Sequence, residues 1–106
     1  MYRYTTPTNV FQTNVDLRNA RVYVTYSRNG RVRLEKTNED MTITEDSITV
    51  RLTQADTGAL GAAGVSKSVE IQIRYVMEDG TADASNIMHA TVERVLKDGE
   101  IEYVQG

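Results

Sequence analysis

The stretch V50-RLTQADTGALGAAGVSKSVEIQIRYVMEDG-T81 decides the fold. It joins two apolar-alternating runs through a short polar-capped segment and three glycines. On the far side, Val69, Ile71, Ile73, Tyr75 and Met77 alternate with Glu70, Gln72, Arg74, Val76 and Glu78, the two-residue period of a half-buried strand. On the near side Ile48, Val50 and Leu52 alternate with Thr49 and Arg51. Between them, Thr53-Gln54-Ala55-Asp56 has the spacing of a helix start, and Gly58 is a natural stop. One helical turn followed by a loop that bends at Gly58, Gly61 and Gly64 reads as a crossover from one sheet to another. A phosphate cradle needs a glycine-rich loop leading from a strand into a full helix, with a Lys-Ser/Thr pair, whereas here a strand follows. The segment from Gly58 to Lys67 has little apolar surface to bury and is expected to be mobile and exposed.

Outward from this joint the same period recurs. Val22, Val24 and Tyr26 alternate with Arg21, Tyr23 and Thr25, and Asn29-Gly30 favours a two-residue hairpin turn into Val32 and Leu34 on one face, Arg31, Arg33 and Glu35 on the other. Met41 and Ile43 lead through Glu45-Asp46 into the run at Ile48, a second hairpin. After Asp79-Gly80, a turn plus bulge leads to a strand in which Met88, Ala90 and Val92 alternate with Ile87, His89 and Thr91. Residues 8 to 13, with Pro7 just ahead of them, supply a first strand.

About seven short strands with one helical crossover turn predict an all-β, immunoglobulin-like antiparallel β-sandwich; a small, partly open barrel is the competing closure. The predicted core is Val22, Val24, Tyr26, Leu34, Ile48, Val50, Leu52, Val69, Ile71, Ile73, Tyr75 and Val92. With 106 residues, one domain spans 1–106, comprising an N-terminal arm or first strand at 1–13, the loop at 58–67 and a tail at 98–106.

Composition narrows the function classes. A 40% hydrophobic, 25% charged chain is ordinary for a folded domain. The net charge of −3, from 12 Lys+Arg against 15 Asp+Glu, argues against a nucleic-acid or anionic-membrane binder. There is no cysteine for disulfide or thiolate chemistry, and no apolar run that resembles a signal peptide or a membrane span. His89, the lone histidine, falls on an outward strand face with no marked catalytic or ligating companions. The run from Asp79 to Ser85 resembles a calcium loop but has Ala84 in place of the turn glycine and Ala90 in place of the bidentate glutamate. The acidic pairs Glu39-Asp40, Glu45-Asp46 and Glu78-Asp79 fall at turns. No catalytic residue, metal site or cofactor is therefore assigned. Arg21, Arg28, Arg31 and Arg33 gather with Tyr23 on the first hairpin, where charge also guards a strand edge. Arg21, Tyr23, Arg31 and Arg33, with Tyr2, Tyr4 and Phe11 of an arm that could exchange between copies, are the candidate interaction residues.

The elements YTTPT, VTYSRNGRVRLEKT, ITVRLTQADT and VEIQIRYVMEDGTADASNI, in that order over nearly the whole chain, resemble a family of small prophage-encoded proteins of Gram-positive, gut-type bacteria. More loosely, the chain is similar to the immunoglobulin-like N-terminal domain of phage upper-baseplate proteins, where a strand, a DGT turn and a returning strand close the sheet. The link GALGAAGVSK is longer than is usual there. The resemblance implies a non-enzymatic structural or accessory protein of the tail or baseplate, made in the host cytoplasm and then carried in the virion. Its partners would be other phage structural proteins and copies of itself, with neither nucleic acid nor membrane among them. A ligand- or carbohydrate-binding sandwich is the alternative function; an enzyme is the weakest.

Overall fold

The computed structural model describes residues 1–104. Its strands are β1 (Thr8–Gln12), β2 (Arg21–Arg28), β3 (Arg31–Lys36), β4 (Met41–Ile43), β5 (Ser47–Arg51), β6 (Lys67–Val76), β7 (Ala82–Ala84) and β8 (Met88–Val92), with one helix, α1 (Gln54–Leu60), between β5 and β6. One sheet has the order β1-β5-β4; in the other β3-β2-β6 is completed by β7 and β8, which share the far edge of β6. All strand pairs are antiparallel. This is the order of an immunoglobulin-type sandwich from its second strand onward, with β1, β5 and β4 as strands B, E and D, and β3, β2, β6 and β7/β8 as C′, C, F and G. Two packed sheets replace the competing barrel.

The local chemistry accounts for most of the elements. Asn29 and Gly30, with φ of 54° and 74°, form the two-residue turn that matches the twist of β2 and β3. At the other end of β6, the Asp79 carboxylate accepts from the Thr81 amide at 2.9 Å and Gly80 takes φ of 89°. The bulge expected beyond that turn lies between β7 and β8, where the register along β6 shifts by one residue. Ser85 fills the break: its amide donates to the Ile73 carbonyl at 2.8 Å and its hydroxyl accepts from the Ile73 amide at 3.0 Å.

One bulge was not legible. The turn pairs Arg28 with Arg31 and Ser27 with Val32, but Tyr26 pairs with Leu34, so Arg33 is an extra residue. The slip places Val32 opposite Ser27, on the outer face, 63% exposed, rather than inward with Leu34 as alternation predicts.

The buried core comprises ten of the twelve predicted residues, with Leu34 and Tyr75 half-buried at its rim. Leu17, Ala20 and Leu60 complete it without having been predicted. Tyr26 spans the two sheets, its hydroxyl donating to Asn9 Oδ1 on β1 at 2.9 Å, and burial pushes the phenol above its ordinary pKa.

The glycine-rich joint departs most from expectation. Thr53 caps α1 as predicted, its hydroxyl accepting from the Asp56 amide at 3.1 Å while the Asp56 carboxylate accepts from the Thr53 amide at 2.9 Å. The helix does not stop at Gly58, however, but continues to Leu60, because Leu60 is fully buried and Gly58 lies against the Tyr4 ring. Residues 58, 60 and 61 are buried, so exposure is confined to Ala59 and to the turn at Ala63–Ser66, where Gly64 has φ of 75°.

Candidate interaction surfaces

The residues singled out in the sequence are dispersed. Tyr2 is 57% exposed on a strap formed by Met1–Arg3, which runs parallel to the chain just beyond β8: the Glu93 amide donates to the Met1 carbonyl at 2.6 Å and the Arg3 amide to the Glu93 carbonyl at 2.9 Å. Tyr4 turns the other way, onto α1, with φ of 58° and the Arg3 guanidinium 4.7 Å above its ring. Phe11 faces inward against the core. Tyr2, Tyr4 and Phe11 therefore do not form one exposed arm.

The basic cluster also separates. Arg28 reaches inward to the C-terminal end of α1, its guanidinium donating to the carbonyls of Leu60, at 3.1 Å, and Gly61, where a cation complements the helix dipole. Arg21 pairs with Glu39 at 3.1 Å and lies 5.6 Å from the Tyr23 ring centre. Only Arg31 and Arg33 remain on the open edge of β3.

Helix α1 ties the N-terminal segment and the stretch around Ile101 to the larger sheet. The Thr57 hydroxyl donates to the Thr5 carbonyl at 2.8 Å and accepts from the Thr5 amide at 2.9 Å, and Arg3 Nε donates to the Gly58 carbonyl at 3.1 Å. Lys36 of β3 pairs with Asp56 at 2.9 Å, and the Gln54 amide bonds both main-chain groups of Ile101, at 2.9 and 2.7 Å. The joint is thus a clamp. A methyl group on Gly58 would stand 2.8 Å from Cδ1 and 2.9 Å from Cζ of Tyr4. Gly58→Ala, which on an open helix would stabilise by about 1 kcal/mol, is expected to destabilise by about 1–3 kcal/mol in urea unfolding. In a Tyr4→Ala background the sign should reverse; persistence of the cost there would place the clash elsewhere.

The outer face of the five-stranded sheet offers a mixed aromatic, charged and apolar surface. Tyr23 and Thr25 of β2, Glu35 of β3, Arg74 and Val76 of β6 and Ala82 of β7 line a shallow depression of about 280 Å³. Tyr23 pairs across the strands with Arg74. Val32, Val76 and Ile87 add exposed apolar area. Val76 was detectable as the one apolar residue in an outward set of polar ones; Val32 was not, because its direction depends on the Arg33 bulge. His89 is exposed, opposite Glu70 in the register. Among the described residues no three His, Asp or Glu side chains converge in a geometry that would hold a metal ion, and no helix is long and apolar enough to cross a membrane.

Charge at the turns sets the acid response. The Arg18 guanidinium holds Asp16 down at about 2, and the Thr37 hydroxyl, the Glu39 main chain and Arg21 hold Glu39 at about 2. Burial opposes ionisation of Asp56, but the Thr53 amide and Lys36 outweigh it and keep its carboxyl below the usual value. Each folded-state pKa lies below its unfolded value of about 4, so the stabilisation is present above that pH and is lost as pH falls towards 2. Stability should therefore be flat from about pH 5 to 7 and decline below about 4, with Lys36→Met reducing that decline. Urea midpoints measured across this range check it; a decline already complete at pH 5 would contradict the assignment.

No protein-family model matches the chain, and no curated protein matches it.

Proposed function

We propose that the chain is a non-enzymatic structural or accessory module of a phage or prophage particle, of tail or baseplate type, which acts by association with other structural proteins and with copies of itself. The phage address rests on the sequence resemblance. The association rests on the outer sheet face, where Val32, Val76 and Ile87 lie exposed around Tyr23 and Arg74 beside open strand edges. Aromatic and arginine side chains among exposed apolar ones supply contact area with a polar rim, the composition that protein interfaces favour.

Mixing the full chain with the proteins encoded beside it, followed by size exclusion with light scattering, tests this reading. Val76→Asp combined with Arg74→Glu should abolish complex formation, and His89→Ala should leave it intact. Absence of any complex, or turnover of a small substrate, would overturn it. The Tyr23 ring beside Glu35 and Arg74 favours a second reading, a small carbohydrate-binding depression. Saturable glycan binding lost in Tyr23→Ala would establish that reading in its place.

A further inference from the structure

The four outermost positions of the two sheets are not alike. The edge of β3 carries Arg31, Arg33, Glu35 and Lys36 and a bulge, the usual protections against edge pairing. The β8 edge is flanked by the Met1–Arg3 strap, β7 is three residues long and includes Asp83, and β4 is also three residues long. Strand β1, Thr-Asn-Val-Phe-Gln, contains no charge, no proline and no glycine, pairs with β5 alone, and leaves Val10 57% exposed. The segment ahead of it runs to β8, in the other sheet, and so does not shield it.

The ladder shows which groups are free. The Leu52 amide donates to the Pro7 carbonyl at 2.9 Å and the Thr13 amide to the Asp46 carbonyl at 2.8 Å, at the two ends of the β1–β5 register. Alternation between these ends directs the main-chain groups of Asn9 and Phe11 to β5, and those of Thr8, Val10 and Gln12 away from it. These three residues are symmetric about Val10. A second β1, antiparallel and related by a two-fold axis through Val10, sets Val10 against Val10 and Thr8 against Gln12, so that every free amide and carbonyl of the three meets a partner.

Building on the association reading above, we infer that the β1 edge is a self-pairing site at which two copies of this chain join their three-stranded sheets into one six-stranded sheet centred on Val10. The two Val10 side chains then cover one another on the outer face. A five-residue edge buries less than the roughly 1,200 Å² of a stable interface, so the pairing is weak between free molecules and strengthens when copies are held together in an assembly.

The absence of native cysteine makes the register directly testable in the full chain. In a hydrogen-bonded antiparallel pair the Cα atoms lie about 5.5 Å apart, within disulfide reach. Under mild oxidation at high concentration, Val10→Cys should form covalent dimers. Thr8→Cys should not do so alone but should cross-link to Gln12→Cys in a mixture. Val10→Lys should remove the concentration-dependent rise in sedimentation coefficient while leaving the urea midpoint unchanged. Equal cross-linking by Ala63→Cys, on the exposed turn after α1, would mark random collision and overturn the inference. So would failure of Val10→Cys to cross-link, or self-association that survives Val10→Lys but disappears when residues 98–106 are removed. If Val10→Cys stays monomeric while proteins encoded nearby still bind, self-pairing fails and the association reading stands; if Val10→Cys cross-links and none of those proteins binds, the reverse holds.

Discussion

Leu60→Ala is expected to lower the unfolding free energy by about 2–5 kcal/mol, a large part of the roughly 5–15 kcal/mol available to a domain of this size. Leu60 is the last residue of α1 and fully buried, and its carbonyl receives the Arg28 guanidinium. Truncating it opens a cavity under the clamp that holds Arg3, Thr5 and Lys36 to the helix. The loss should appear as a lower urea midpoint with an unchanged slope, because the surface exposed on unfolding is the same. A midpoint within error of the parent would mean that the joint is a surface loop after all. Ala63→Ser, on the exposed turn three residues further on, is the matched control and should have almost no effect.

Ile71→Ala should cost a similar amount, about 2–5 kcal/mol. Ile71 is 5% exposed on β6, flanked in the sheet by Tyr26 on one side and Met88 on the other, so its side chain stands on the inner face of the larger sheet and fills the core. Its neighbours Gln72 and Arg74 face outward, which couples the core to the proposed interaction face through one strand. The variant is expected to bind its partners normally at temperatures where it remains folded. An unchanged denaturant midpoint would show that the inward face of β6 has been misassigned. Loss of binding without loss of stability would show that Ile71 contributes to the interface directly.

The outcomes at Val32 and in the joint have a common origin. Turn and cap chemistry identified the turn at Asp79-Gly80 and the Thr53 cap, and a period-two pattern, also a local property of the chain, reports reliably where pairing is regular: it identified the strands of both hairpins and the long β6 strand. It could not identify the Arg33 bulge, because an extra residue is admitted by the partner strand and not by the residues that carry it. Within the joint, glycine signified freedom when taken alone. In the fold, Gly58 and Gly61 are present because Tyr4, Arg3 and Val92 leave no room for a Cβ, which turns an apparent hinge into a tightly packed contact.

The candidate residues divide along the same line. Tyr23 keeps the outward position that alternation assigned it, and Arg31 and Arg33 stay exposed on the β3 edge, although the bulge moves Arg31 with Val32 so that it pairs with Arg28; Tyr4, Phe11 and Arg28 itself are drawn inward by partners remote in sequence: Gly58, the core and the end of α1. The predicted tail at 98–106 is described as far as Val104, residues 105–106 lying outside the described residues, and is held at Ile101 by Gln54. By itself the sequence determined the all-β class, every strand but the short β7, which falls in the stretch read as turn and bulge, and most of the core, since these follow from alternation, turn chemistry and apolar burial along the chain. Only the tertiary structure decided which open edge is left unprotected, which side of β3 Val32 occupies, and that the glycine joint is a clamp. Each of these depends on which groups meet across long sequence separations, and one-dimensional periodicity carries no record of them.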